Sequence, residues 1–267
     1  MTDFPAPRSA LYLPASNPRA IEKARGLNAD MILLDLEDAV KPENKDMARV
    51  AAVAAVLEGF GGRPVAIRAN AIGSAWHAAD IAAIKGSKAD FIVLPKVESA
   101  SDAESVAAQT GKPLLAMIES PRAIFAAVSI ATAAGVVGLI AGMNDLANDL
   151  RLPPSDDRAG LSFALQTIVM AARAGGVWAL DGVYNKLEDG DGLALECCEG
   201  RCFGFDGKTL IHPNQIDTAN RIYSPSEAEL EAARTLVQAA SGGAERFGDR
   251  MIEAMHVEAA KRLLARG

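Results

Sequence analysis

Eight short apolar runs recur along this chain, each followed by a longer stretch at helical spacing, and that alternation narrows the possible folds more than any other feature. The runs are ALYLP (10–14), DMILLDL (30–36), PVAIRA (64–69), DFIVLP (90–95), KPLLAMI (112–118), VVGLIAG (136–142), VWALDGV (177–183) and FDGKTLI (205–211). They are near-continuously apolar rather than alternating, the pattern of strands in a parallel sheet whose two faces are both covered. Between them lie Ala-rich segments such as PENKDMARVAAVAAVLEGF and SPRAIFAAVSIATAA, with charges at helical intervals. Eight such units in 267 residues predict one (β/α)8 TIM barrel, a fold that typically takes ~250 residues. A doubly wound open sheet is the runner-up. The barrel is expected over 1–221. A helical extension is expected over 222–267, formed by SPSEAELEAARTLVQAA and MIEAMHVEAAKRLLARG and free to cover a barrel mouth.

In such barrels the active site lies at the C-terminal ends of the strands. Reading off those ends gives Asp35, Glu37 and Asp38; Arg68 and Asn70; Lys96; Glu119; Asn144 and Asp145; Asp181; and Lys208 with His212. The stretch MILLDLEDAV is the sharpest case, because three carboxylates follow a buried run where a solvated helix face would have spread them. The helix after it opens at Pro42, a favoured first position, so these acids come too early to cap it. At ESP (119–121) Ser120 is the natural cap, which leaves Glu119 without a capping task. Asp145 can either cap a helix starting near Leu146 or act in a site. Arg68 can neutralise its acidic neighbours or bind an anionic substrate. Lys96 is either a structural ion pair or a Schiff-base lysine, the former being favoured.

Other chemistries fail on composition or spacing. A net charge of −7 argues against nucleic acid or an anionic membrane as the main partner. No apolar stretch approaches the ~18 residues of a membrane span, and MTDFPAPRS has no secretory pattern. Cys197, Cys198 and Cys202 crowd together with no other cysteine to pair with, which suits a reducing, cytoplasmic setting. They are expected on a helix packing face. GFDGKT resembles the tail of a P-loop, but Cys202 stands where its first glycine belongs. The histidines share no zinc spacing, and His212 before Pro213 is expected as a hydrogen-bonded turn residue. Carboxylates without histidine or thiolate partners favour a hard cation, and Mg²⁺ fits best.

Together RSALYLP (8–14), DLEDAV (35–40) with Lys45 and Arg49, RAN (68–70) with Trp76 and Asp80, LPK (94–96), IES (118–120), GMNDLANDL (142–150) and KTLIHPNQI (208–216) resemble the citrate lyase beta-subunit-like proteins. These belong to the malyl-CoA lyase and HpcH/HpaI aldolase superfamily, and the resemblance covers about the whole chain in order. It implies a (β/α)8 barrel, a homotrimer or dimer of trimers, and Mg²⁺-dependent cleavage of a 3-hydroxyacyl-CoA thioester. It also implies metal ligation by Glu119 and Asp145, with Arg68 on the substrate carboxylate and Arg8 on the CoA-binding side. Asn70 lies in the same substrate-contacting motif as Arg68. Glu37 and Asp38 would position the substrate or a metal-bound water. Glu253, in MIE where the family has MID, would supply the acid that reprotonates the product. Asn144 stands where the family often has Glu. A metal-dependent aldolase of free 2-oxo acids, and a non-catalytic CoA-ester binder or complex subunit, are the alternative readings.

Overall fold

All eight predicted runs contain a strand, and the strands close into a parallel barrel in chain order. They are β1 (Ser9–Pro14), β2 (Met31–Asp35), β3 (Val65–Arg68), β4 (Phe91–Leu94), β5 (Leu114–Ile118), β6 (Val136–Ala141), β7 (Trp178–Asp181) and β8 (Gly207–Leu210). Closure is made by β8, which pairs with β1 from Ser9↔Lys208 to Leu11↔Leu210. The computed structural model describes residues 4–155, 157–240, 243–248 and 250–266. It divides into two compact units, Met1–Asn220 and Arg221–Gly267.

The barrel interior follows from the two-residue period of a strand. Ala10, Met31, Leu33, Ala66, Phe91, Val93, Leu115, Met117, Ile140 and Leu180 form one packed core, the layered filling of a closed barrel rather than a pore. At the floor, Phe91 stacks tilted against Phe4 and Trp178, at 5.9 and 5.5 Å between ring centres.

The helices that matter for the site are α1 (Pro18–Ala24), α2 (Lys45–Glu58), α3 (His77–Gly86), α4 (Ala100–Thr110), α5 (Pro121–Ala131), α6 (Met143–Asp149), α7 (Ser162–Gly175) and α8 (Gly190–Phe203). Ser120 caps α5 by accepting from the Ala123 N–H, with Pro121 as its first residue, as the sequence predicts. Pro42 opens a short 3₁₀ turn, and the α-helix proper begins three residues later at Lys45. The three cysteines do not share a packing face, which corrects the expectation for α8. Cys197 is buried while Cys198 and Cys202 are exposed. Neighbours one residue apart differ by about 100° around a helix, so adjacent cysteines cannot both face the core.

Helix α9 (Ile216–Tyr223) runs across the division between the units, and in the second unit α10 (Glu227–Ala239) carries a Ser226–Glu229 capping box. A short antiparallel pair, β9 (Glu245–Phe247) and β10 (Arg250–Ile252), precedes α11 (Ala254–Leu264). The second expected helix therefore starts later than MIEAMHVEAA suggests. Met251 and Ile252 are in a strand, and Glu253 has extended backbone at the cap position, its N–H donating to His256 Nδ1 at 2.9 Å.

Candidate active site

Three of the inward rows of the barrel core end in charged residues. The row Met31–Leu33 continues to Asp35, Ala66 to Arg68, and Leu115–Met117 to Glu119. These three side chains, with Tyr12, Asn144 and Asp145, help line a cleft of about 320 Å³ at the C-terminal mouth. That volume is near the lower end for ligand sites and suits a small acidic head group.

Arg68 is the centre of the mouth. Its Nε and Nη2 both donate to Asp35, each at 2.6 Å, the two-pronged geometry that a guanidinium offers a carboxylate. The guanidinium also lies over the Tyr12 ring at 4.9 Å. With that fork occupied, Nη1 is the remaining edge: it donates to Met117 Sδ at 3.8 Å and lies 3.0 Å from Glu37 Oε2 and 3.6 Å from Asp38 Oδ2. Glu37 Oε2 makes the ion pair off the line of any N–H, so it is buried without a hydrogen bond. Asp35 is a scaffold as well as a counter-charge: it accepts from the N–H groups of Glu37 (2.8 Å) and Ala39 (3.0 Å), which folds the acidic turn back over the strand end. This accounts for the clustered acids of DLEDAV. One is spent on Arg68 and the turn, one faces the arginine's remaining edge, and Asp38 reaches the rim, where its side chain is 66% exposed.

Glu119 and Asp145 come from successive strand ends. Glu119 is buried, and the Lys96 N–H donates to its Oε1 at 2.6 Å. Burial chiefly, and then the neighbouring Asp145 charge, push its carboxyl up to about 7 against the lowering effect of that hydrogen bond. Burial also raises Glu37 to about 7, although Arg68 opposes it. Asp145 sits in the first turn of α6, whose cap position is Gly142, so it is not the N-cap that one sequence reading allowed. Gly142 is required there, because an added Cβ would collide with the Cβ and Oε2 of Glu119. Lys96 Nζ lies 3.7 Å from Glu37 Oε1 and 3.8 Å from Asp145 Oδ2. Its pairing with carboxylates raises its pKa despite desolvation, which favours the ion-pair reading over a Schiff-base lysine.

Several expected site residues lie elsewhere. Asn70 is not on the cleft: its N–H and Nδ2 donate to Asp80 and its Oδ1 accepts from Lys45, so its side chain is fully engaged. Lys45 also donates to the carbonyls of Leu36 and Glu37, which ties α2 to the acidic turn from below. Arg8 stands before β1, at the opposite end of the barrel from the mouth, where its Nε and Nη2 grip Asp30 at 2.8 Å. The start of a strand and its end are on opposite faces, so a substrate-binding role at this mouth is corrected for Arg8. Asp181 and Lys208 are fully buried in a separate ion cluster with Arg158 and Glu196. His212 forms the expected turn, capping Pro213–Gln215. Glu253 belongs to the C-terminal unit. Sequence reasoning overlooked Tyr12, which is an inward strand position at the mouth and could have been found from strand alternation alone.

Among the described residues, no group of three or more His, Cys, Asp or Glu side chains is gathered as a metal cage. The Glu119–Asp145 pair still fits a hard divalent ion. Such an ion takes one or two carboxylates and completes its octahedron with water and substrate oxygens. Burial does most to raise the Glu119 carboxyl, and the nearby Asp145 charge adds to it, so a bound cation would relieve both.

The closed barrel carries an acidic mouth with Arg68 at its centre and Glu119 and Asp145 beside it, and comparison with known proteins makes it a (β/α)8 enzyme of the carbon–carbon lyase class. Residues 8–213 match the HpcH/HpaI aldolase/citrate lyase family model, and the chain belongs to that family. A (3S)-malyl-CoA thioesterase of Cereibacter sphaeroides strain ATCC 17025 is 44% identical, over 97% of this chain and 94% of its own. The citrate lyase subunit beta of Escherichia coli strain K12 is 32% identical, over 97% and 92% of the two chains. The crystal structure of protein CitE from Mycobacterium tuberculosis, in complex with magnesium, acetoacetate and coenzyme A, is 33% identical. It superimposes with a TM-score of 0.84 over 98% of each chain.

Proposed function

We propose that this chain is a Mg²⁺-dependent carbon–carbon lyase that cleaves a 3-hydroxyacyl-CoA thioester, of malyl, citramalyl or hydroxymethylglutaryl type, into an acyl-CoA and an oxo acid. The observation that carries this reading is the placement of Glu119, Asp145 and Arg68 around one small cleft, with the Nη1 edge of Arg68 outside the Asp35 fork. Glu119 and Asp145 would hold the ion, which when bound supplies Lewis acidity to the oxygens of a hydroxy acid. Arg68 Nη1 orients the substrate carboxylate and offsets charge as it develops. Glu37, raised to about 7 and facing that edge, accepts the hydroxyl proton as the carbonyl of the oxo acid forms. The electron pair of the broken C–C bond passes to the α-carbon of the thioester, and a carboxylic acid returns a proton there. By family resemblance that acid is Glu253 of a neighbouring copy in a homotrimer or dimer of trimers, acting in the cytoplasm. No step needs nucleic acid or a membrane, and among the described residues no helix is long and apolar enough to cross one.

A second reading is hydrolysis of the thioester, favoured by the relatives that are 42–44% identical and named (3S)-malyl-CoA thioesterase. Incubation with a panel of hydroxyacyl-CoA thioesters and Mg²⁺, read by mass spectrometry, separates the two. The lyase yields a shorter acyl-CoA and an oxo acid; the hydrolase yields free CoA and an intact hydroxy acid. Cleavage of free hydroxy-oxo acids instead would point to an aldolase, and tight thioester binding without turnover to a binding subunit.

A further inference from the structure

Lys96 holds three carboxylates by two different parts of itself. Its backbone N–H donates to Glu119 Oε1, while its ammonium lies between Glu37 Oε1 and Asp145 Oδ2 at 3.7 and 3.8 Å. To do both it adopts φ +53, a left-handed backbone that non-glycine residues enter sparingly and that recurs at functional sites. Among the described residues it is the one cation within 4 Å of the Asp145 carboxylate. Arg68 does not fill that role, since its fork is committed to Asp35.

The looseness of the ammonium is as informative as its position. Its contacts are longer than a hydrogen bond, and its side chain is 52% exposed. Lys208, by contrast, is fully buried and donates to Glu196 at 2.7 Å, a locked structural charge. A half-exposed ammonium on a flexible stem can leave its carboxylates at little loss, whereas the backbone N–H stays where the chain puts it.

We propose that Lys96 is the displaceable counter-ion of the mouth: its ammonium competes with a divalent cation for Asp145, while its N–H keeps Glu119 aimed. This inference rests on the reading of Glu119 and Asp145 as cation ligands. The side chain then lowers cation affinity and stabilises the cation-free mouth, a balance that keeps the carboxylates together until the cation arrives.

The test is calorimetry of Mg²⁺ binding to the full chain, with thermal melting of the Mg²⁺-free protein alongside. Lys96→Met keeps the chain length but removes the charge. It should bind Mg²⁺ about five- to tenfold more tightly, the scale of one half-exposed charge removed beside a cation. Its Mg²⁺-free melting temperature should fall, and its Mg²⁺-induced rise should exceed that of the unmodified chain. Lys96→Arg, which keeps the charge, should stay within about twofold of the unmodified chain, well inside the scatter of a conservative charge swap. If Lys96→Met folds poorly, Lys96→Gly repeats the charge loss with a residue suited to φ +53. Unchanged or weaker Mg²⁺ binding in both neutral variants overturns the inference. Glu119→Gln separates its failure from that of the reading beneath it: Mg²⁺ binding that survives Glu119→Gln rejects the ligand assignment itself.

Discussion

Arg68 shows how one side chain divides its work. Two of its nitrogens fasten it to Asp35, and the third, against Glu37 and Met117, is the one the proposed substrate would meet. Lysine keeps the charge but has no planar fork, so Arg68→Lys cannot hold both Asp35 oxygens and still present a donor to the cleft. We expect kcat/KM to fall by at least ~10²-fold, the scale of losing one preorganised transition-state donor, and an unchanged value in steady-state assays would reduce Arg68 to a structural ion pair. The acids of the mouth give a second residue-scale prediction. Glu37 and Glu119 titrate near 7 when folded against 4.5 when unfolded. A folded pKa raised above the unfolded one means that the native state binds the extra proton. The stability this contributes is complete below pH 4.5 and is lost as pH rises through about 7. Melting of the Mg²⁺-free protein across that window should therefore show a declining component that Glu119→Gln lessens. Added Mg²⁺ should counter the decline, because it binds the ionised form. A Glu119→Gln curve parallel to that of the unmodified chain would contradict the shift.

At the scale of elements, the site is legible where it lies on strands and obscure where it lies on their supports. Asp35, Arg68 and Glu119 continue apolar rows with period two, so the strand ends could be read directly from the sequence. Asn70 stands two residues past Arg68, where the chain has left the strand and its direction is set by contacts. Asp80 of α3 and Lys45 of α2 capture it, and no spacing in the sequence reveals that pairing. Arg8 was misplaced for a different reason. A motif spanning a strand has two ends that face opposite ways, and only its proline end reaches the mouth. The junction of β6 and α6 was hidden too, since its essential feature is the missing side chain of Gly142 beside Glu119. Gly142→Ala should push the start of α6 away from Glu119 and separate the two acids. An overpacked core position costs about 1–3 kcal/mol, and we expect that loss in denaturant melts together with weakened Mg²⁺ binding by calorimetry. Normal Mg²⁺ affinity with only a stability loss would mean that Asp145 does not act with Glu119.

On the scale of the whole molecule, the proposed reaction draws a base, an arginine and paired cation ligands from the barrel mouth, yet it also needs an acid to return a proton to carbon. The proposed assembly supplies it from another copy, through Glu253 at the start of α11 in the C-terminal unit. A mouth and the acid that serves it then belong to different chains, and defects in the two parts can complement each other. Glu253→Ala alone should cripple turnover while leaving Mg²⁺ binding intact, and Glu119→Gln alone should abolish both. When the two variants are co-expressed in equal amounts, a mouth is complete if it lies on a Glu253→Ala chain and its neighbour is a Glu119→Gln chain. With random assembly of a closed ring, about a quarter of the mouths meet both conditions, so activity should recover to about that fraction of the unmodified enzyme. Glu253→Asp adds a check on the acid itself: the shorter side chain withdraws the carboxyl group by roughly an ångström, enough to alter a proton transfer, so its turnover should differ from that of the unmodified chain while its Mg²⁺ affinity should not. Activity that stays at the level of the single variants, in mixed oligomers verified by mass spectrometry, would confine each site to one chain and leave the proton donor to be sought within the mouth, where the carboxyls of Glu37 and Glu119 are both raised to about 7.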